Sequence, residues 1–130
     1  MCLSTNIAEN PLISFNYVNN NGAAFNIFEG AKIFLILFSF FAVVGIMVYV
    51  LRNLQKISVF SIFSYSLLCS GIFCNMYERI VLGYVRDFIQ LDFIDFPIFN
   101  ISDVYINISV LMIALMILRN NYFKQNETDN

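Results

Sequence analysis

The sequence predicts a membrane α-helical bundle with a small β platform at one end. Three observations carry that prediction. Apolar residues make up 59% of the 130 residues and charged ones only 12%, against about 25% charge in a soluble domain. Three long runs are almost free of charge, and the segments outside them hold the turn signals and eight of the nine acids. A chain this short has room for one domain at most, and so much apolar surface needs lipid to cover it.

The clearest run is 33–51, 19 residues without a charge, about 28 Å as a helix against a hydrocarbon core of roughly 30 Å. The second, 57–75, is uncharged but dotted with Ser58, Ser61, Ser64, Ser66 and Ser70. There Ser61, Tyr65 and Cys69–Ser70 recur at near-helical spacing, a face suited to packing on other helices. The third, 101–118, is apolar except near its start, where Asp103 and Asn107 stand four residues apart on one face.

Charge sets the expected orientation. Arg52 and Lys56 follow the first run, and Arg119 and Lys124 follow the third. Those four basic residues are expected in the cytoplasm under the positive-inside rule. Residues 76–100 hold Glu78, Asp87, Asp92 and Asp95 against Arg79 and Arg86, and are expected outside together with residues 1–32. The tail, 119–130, is then cytoplasmic, with a disordered polar end from Gln125.

Residues 1–32 have no preceding apolar helix to carry them across, yet they are not a bare tail. Leu12–Val18 partly alternates apolar and polar residues, as a half-buried strand does. Asn19-Asn20-Asn21-Gly22 reads as a turn. Val85–Phe88 and Ile94–Phe99 are candidates for further strands of the same extracytoplasmic platform.

Composition also narrows the chemistry. The chain has no histidine, which removes Ser-His-Asp and Cys-His catalysis and the commonest zinc ligand. Cys2, Cys69 and Cys74 have no metal-ligand or disulfide-framework spacing. Cys69 and Cys74 read as buried thiols, and Cys2, with no export signal before it, as incidental. Net charge is −2 without a basic cluster, so nucleic acid is not an expected partner. Carboxylates, amides and hydroxyls remain.

Two aspartates stand out. Asp103 falls in the first turn of the third run, where an acid either serves a wet cavity or simply complements the helix dipole; alone, it fits both. Asp87 lies just beyond the second run, where a lone aspartate is usually solvated. Taken together, the two lie near one membrane surface on segments that must pack side by side. Paired carboxylates sharing a proton are a peptidase device, one acting as base towards water and the other polarising the scissile carbonyl. Around them, Asn75, Glu78 and Arg79 share a helical face. Arg79 is either a guanidinium orienting carboxylates or a snorkelling arginine beside its glutamate. Asn20 and Asn100 are either amide donors to a peptide or a turn residue and a helix cap.

These residues resemble a family. Asn75-Met76-Tyr77-Glu78-Arg79-Ile80-Val81-Leu82-Gly83-Tyr84-Val85-Arg86-Asp87-Phe88 is similar to the bacterial lipoprotein signal peptidase pattern G-N-x-x-D-R-x-x-x-G-x-V-x-D-F. Phe99-Asn100-Ile101-Ser102-Asp103 resembles its F-N-x-A-D-S motif, and Asn20-Asn21-Gly22-Ala23-Ala24-Phe25 its N-x-G-A-A-F segment. The resemblance implies a four-helix enzyme of the bacterial cytoplasmic (inner) membrane with an extracytoplasmic β cradle. It implies cleavage before the diacylglyceryl-modified cysteine of a prolipoprotein, with Asp87 and Asp103 catalytic and Asn20, Asn75, Arg79 and Asn100 in support. Prolipoprotein substrates and membrane lipid are the implied partners, a monomer is expected, and no metal or organic cofactor is implied.

Several positions depart from the pattern. Cys74 replaces a glycine, Glu78 an aspartate, Ser102 an alanine and Val104 a serine. Arg86 takes an apolar position beside Asp87, where a cation is expected to lower that acid's pKa. The family's first spanning helix, with its D-Q-x-x-K signature, has no counterpart, so a truncated or mis-set start is expected. The substitutions leave a second reading, an inactive homologue that binds precursors or a membrane partner. A proton or cation conductor ranks last, because Val110–Leu118 is uninterruptedly apolar.

Overall fold

The computed structural model describes residues 12–22 and 30–128. Within them the order is β1 (Ile13–Asn20), α1 (Lys32–Arg52), α2 (Val59–Val81), β2 (Val85–Leu91) and α3 (Ile101–Thr128). Each helix is long and apolar enough to cross a membrane. Cys2, most of residues 1–32, Ala23–Phe25 of the N-terminal motif and the last two residues lie outside the described residues.

The helix ends follow local chemistry. Ser58 caps α2 by accepting from Ser61 N at 3.1 Å. That helix continues past Asn75 because the next stop signal is Gly83, whose φ of +88° only glycine adopts cheaply. Leu82 N donates to Glu78 O at 2.8 Å and Gly83 N to Arg79 O at 3.2 Å, closing the last turn. Glu78 and Arg79 therefore stand on helix. At the far end α3 runs to Thr128, through residues 125–128 where a disordered end was expected. Extending an existing helix costs no new nucleus, and lysine, glutamine and glutamate are good helix formers.

The central helix is α2, packed against both α1 and α3. Its serines satisfy themselves in an apolar setting: the Ser64 hydroxyl donates to Phe60 O at 2.8 Å and that of Ser70 to Ser66 O at 2.9 Å. At Gly71, α2 and α3 come into close contact. A Cβ there would lie 2.6 Å from Ser102 O and 2.7 Å from Ile106 Cγ1, so no other residue fits without moving α3. Cys69 is half-buried, but Cys74 is exposed rather than buried.

The two strands form one antiparallel sheet. The third expected strand, Ile94–Phe99, is not formed. Pro97 has no N–H to give a ladder, and the segment contributes a single bridge, Ile89 to Phe99, with Phe99 N donating to Ile89 O at 3.0 Å. That bridge brings the chain directly from β2 to the start of α3.

Candidate active site

Strand register puts the first acid in place. Val18 pairs with Asp87 and Asn20 with Val85, whereas Phe15 pairs with Ile89. Asn16 and Tyr17 therefore stand opposite Phe88 alone, a bulge in β1. Beyond it, Asn20 is the diagonal neighbour of Asp87 on the same face, and its Nδ2 donates to Asp87 Oδ2 at 2.9 Å. Along β2, Val85 and Asp87 are buried and Arg86 between them is exposed, as strand alternation requires.

The start of α3 positions the second acid. Asn100 precedes the helix and Asp103 is its third residue. The Asp103 N–H donates to Asn100 Oδ1 at 3.0 Å while the Asn100 N–H donates to Asp103 Oδ2 at 3.1 Å. This is a reciprocal capping box, with aspartate in the place glutamate usually takes. Asn100 does more than cap. Its Nδ2 donates to Asp87 Oδ1 at 2.9 Å and to Asn75 Oδ1 at 3.1 Å. Asn100 is thus the helix cap through Oδ1, while its amide N–H groups bond Asp87 and Asn75.

From α2, Asn75 Nδ2 donates to Asp103 Oδ1 at 2.9 Å. Arg79, one turn later, does not fork onto a carboxylate. Its Nη1 donates to Asn75 O at 3.1 Å and its Nη2 to Gly22 O at 2.7 Å, tying α2 to the turn after β1. Arg79 is 9% exposed, and its Nε has no hydrogen-bond partner among the described residues. The cation still acts at range, favouring ionised Asp87.

Five of the six predicted residues thus form one hydrogen-bonded cluster: Asn20, Asn75, Asp87, Asn100 and Asp103. Arg79 adjoins it through backbone carbonyls. Asp87 is only 3% exposed and Asn100 5%, so this is an interior site rather than a solvated rim. Burial pushes the Asp87 carboxyl above its ordinary value, and the charge of Asp103 adds to the push. The amides of Asn20 and Asn100 and the guanidinium of Arg79 oppose it.

Two expectations need correction. Arg86 does not bear on Asp87, because alternation turns it to the opposite face. Its Nε and Nη2 bond Glu78 Oε1 at 2.9 and 2.6 Å. Glu78, for its part, is drawn to Arg86 and not into the cluster. Two contributors escaped sequence reasoning, the Gly22 carbonyl and Gly71. The N-x-G-A-A-F resemblance marked the first only as motif, and a glycine amid serines and cysteines is a weak signal for close helix contact.

Three helices long and apolar enough to cross a membrane, with a pair of hydrogen-bonded acids at one end, define an integral membrane protein. Solved structures agree. The fold matches a bacterial membrane enzyme determined in meso at 2.3 Å resolution, with TM-score 0.82 and 29% identity over 91% of this chain and 72% of that one. It matches a second such enzyme, at 1.9 Å, with TM-score 0.76 and 30% identity over 88% and 74%. The model of the signal peptidase (SPase) II family matches residues 2–119. The lipoprotein signal peptidase of Streptococcus thermophilus is 39% identical over 106 residues, 82% of this chain and 69% of that protein. That of Lactiplantibacillus plantarum is 38% identical over 114 residues, 88% and 75%. The chain belongs to the signal peptidase II family, a family of proteases.

Proposed function

We propose that the chain is an intramembrane aspartic endopeptidase that removes signal peptides from diacylglyceryl-modified prolipoproteins. The observation that carries the reading is the double role of Asn100, which bonds Asp87 with its side chain and Asp103 with its backbone. The raised affinity of Asp87 for a proton suits it to hydrogen-bond the scissile carbonyl as a neutral acid. Asp103 then takes a proton from the attacking water. The oxygen of that water adds to the carbonyl carbon as Asp87 gives its proton to the carbonyl oxygen, and a tetrahedral diol forms. On collapse the C–N bond breaks, Asp103 passes its proton to the leaving amine, Asp87 takes one back from a diol hydroxyl, and one water has been consumed. The amides of Asn20, Asn75 and Asn100 hold both acids in place throughout, which is where positioned donors contribute most.

All six groups come from one chain, which supports a monomer as the working unit. The charge pattern supports a multi-pass orientation in the bacterial cytoplasmic membrane, with residues 76–100 outside and Arg52, Lys56, Arg119 and Lys124 inside. Membrane lipid and lipid-modified precursor are the partners.

The test uses the chain in phospholipid vesicles with a synthetic diacylglyceryl-modified precursor peptide, products read by mass spectrometry. Asp87→Asn and Asp103→Asn should each abolish cleavage, because residues that act as a unit fail as a unit. Cleavage surviving in either variant refutes the two-acid mechanism. Correct insertion without any aspartate-dependent cleavage, with the precursor still bound, establishes the binding-only reading instead.

A further inference from the structure

The Glu78–Arg86 pair lies outside the cluster and plays no part in the chemistry above. Both residues depart from the pattern the sequence resembles, which has aspartate at the first position and an apolar residue at the second. An isolated ion pair at a surface usually contributes little, and Arg86 is half-exposed, its side chain 52% accessible against 22% for Glu78. This pair is more than an ion pair, however. Glu78 Oε2 accepts the backbone N–H of Arg86 at 2.8 Å, while Oε1 accepts both Nε and Nη2. One carboxylate therefore holds the main chain and the side chain of the residue immediately before Asp87.

The placement gives that grip a consequence. Glu78 is three residues beyond Asn75 on α2, and Asn75 bonds Asp103. Between Glu78 and Arg86 the chain turns through Gly83 at φ +88°, the freest point of the link from helix to strand. On the other side, β2 is registered by Asn19 opposite Arg86 and Val18 opposite Asp87. Without Glu78, β2 would be tied to α2 through the Asn100 bridge between Asn75 and Asp87, with no direct hold on the residue before the acid. With it, α2 controls both acids: Asp103 through Asn75, and the strand of Asp87 through Glu78.

We propose that Glu78 and Arg86 form a clasp across the Gly83 turn that sets the position of Asp87, which makes Arg86 a positioning residue of this site. The two departures are then a single device, the longer acid reaching the backbone of a residue whose cation completes the grip. The inference rests on the reading of Asp87 as a catalytic acid. It acts through the backbone, since Arg86 points away from Asp87 and the charges that act on that acid from the site are Asp103 and Arg79.

The experiment compares the full chain with Arg86→Ala, Arg86→Lys, Glu78→Gln and the Glu78→Gln/Arg86→Ala double variant in phospholipid vesicles. Two quantities are read: kcat and KM for a diacylglyceryl-modified precursor peptide, and titration of the Asp87 carboxyl by carbon NMR, assigned by difference from Asp87→Asn. Arg86→Ala should lower kcat on the order of tenfold to a hundredfold, the scale of a misplaced reacting group, with KM within about twofold. The Asp87 titration should move down towards the ordinary carboxylate value as the loosened strand admits water. Arg86→Lys, the variant safest for folding, should restore most of both. The double variant should be no worse than Arg86→Ala alone, because the side-chain contact is already gone and the glutamine amide oxygen can still accept the backbone N–H of residue 86. If Arg86→Ala leaves kcat and the titration at wild-type values, the clasp is overturned. If the wild-type chain shows no aspartate-dependent cleavage, the two-acid reading fails by itself and the titration judges the clasp: a shift upholds it, no shift overturns it.

Discussion

Asn100 donates to Asp87 across 2.9 Å, so the residue that caps α3 also holds the acid of β2. Fold and chemistry share a residue here, and their contributions can be separated by substitution. Asn100→Ser keeps a capping oxygen but loses the amide N–H groups. It should cost a few tenths of a kcal/mol in helix stability, as exchange among good caps does, yet cut kcat severely. Asn100→Ala should lose about 1 kcal/mol as well. Thermal unfolding in detergent beside a cleavage assay distinguishes them.

The pH profile should report Asp87. Its folded-state pKa is raised, so it keeps its proton above the ordinary carboxylate range and releases it as pH rises through the raised value. The proposed mechanism uses that proton, so cleavage should fall along this alkaline limb. Asn20→Ala removes a donor that favours the ionised form, so the limb should move to higher pH while the maximum rate drops. A limb that moves down would contradict the assignment.

Stability should carry the same signature. The folded state binds this proton more tightly than the unfolded chain, so the contribution is fully present below the ordinary carboxylate value. It is lost as pH rises through the raised one. Unfolding midpoints measured over that window should fall with pH in the wild type, and the slope should flatten in Asp87→Asn.

Gly71→Ala tests the approach of the two helices. A methyl group 2.6 Å from Ser102 O must push α3 away, at roughly 1–3 kcal/mol for an overpacked contact. Ser102 adjoins Asp103, so activity should fall more than stability alone explains. Gly45→Ala on α1 is the control: its added Cβ meets nothing within 4 Å and should be neutral or slightly stabilising.

Orientation is checked by thiol labelling in intact cells, in a variant lacking the native cysteines. Asp95→Cys should react with an impermeant reagent and Leu54→Cys should not. The reverse pattern would invert the topology.

Much of this site was legible in the sequence because it is built from motif residues close to helix ends. Asn75, Asp87, Asn100 and Asp103 could be placed near one surface from span ends alone, whereas the amides point to carboxylates rather than standing as the peptide donors their positions suggested. What was not legible depended on facing. The adjacency of Arg86 and Asp87 suggested a charge acting on an acid, and the pleat reversed that by sending them to opposite sides. Arg79 was read as a partner of carboxylates but bonds the carbonyls of Asn75 and Gly22. Backbone acceptors leave no trace in residue type. Cys74 looked buried because its neighbours are apolar, yet in lipid an apolar neighbourhood says nothing of burial.

The capping box at the start of α3 has a mechanical corollary. Asp103 is bonded to the Asn100 backbone at its own helix end and to Asn75 on α2. Sliding α3 by one residue would swing that carboxylate about 100° around the helix axis and break the hold on Asn75 together with the grip on Asp87. The two acids are therefore held by one connected set of hydrogen bonds, and a shift of α3 reaches both. On the proposed reading, the start of α3 acts as a fixed gauge, and the shape of the incoming segment bears on what is cut.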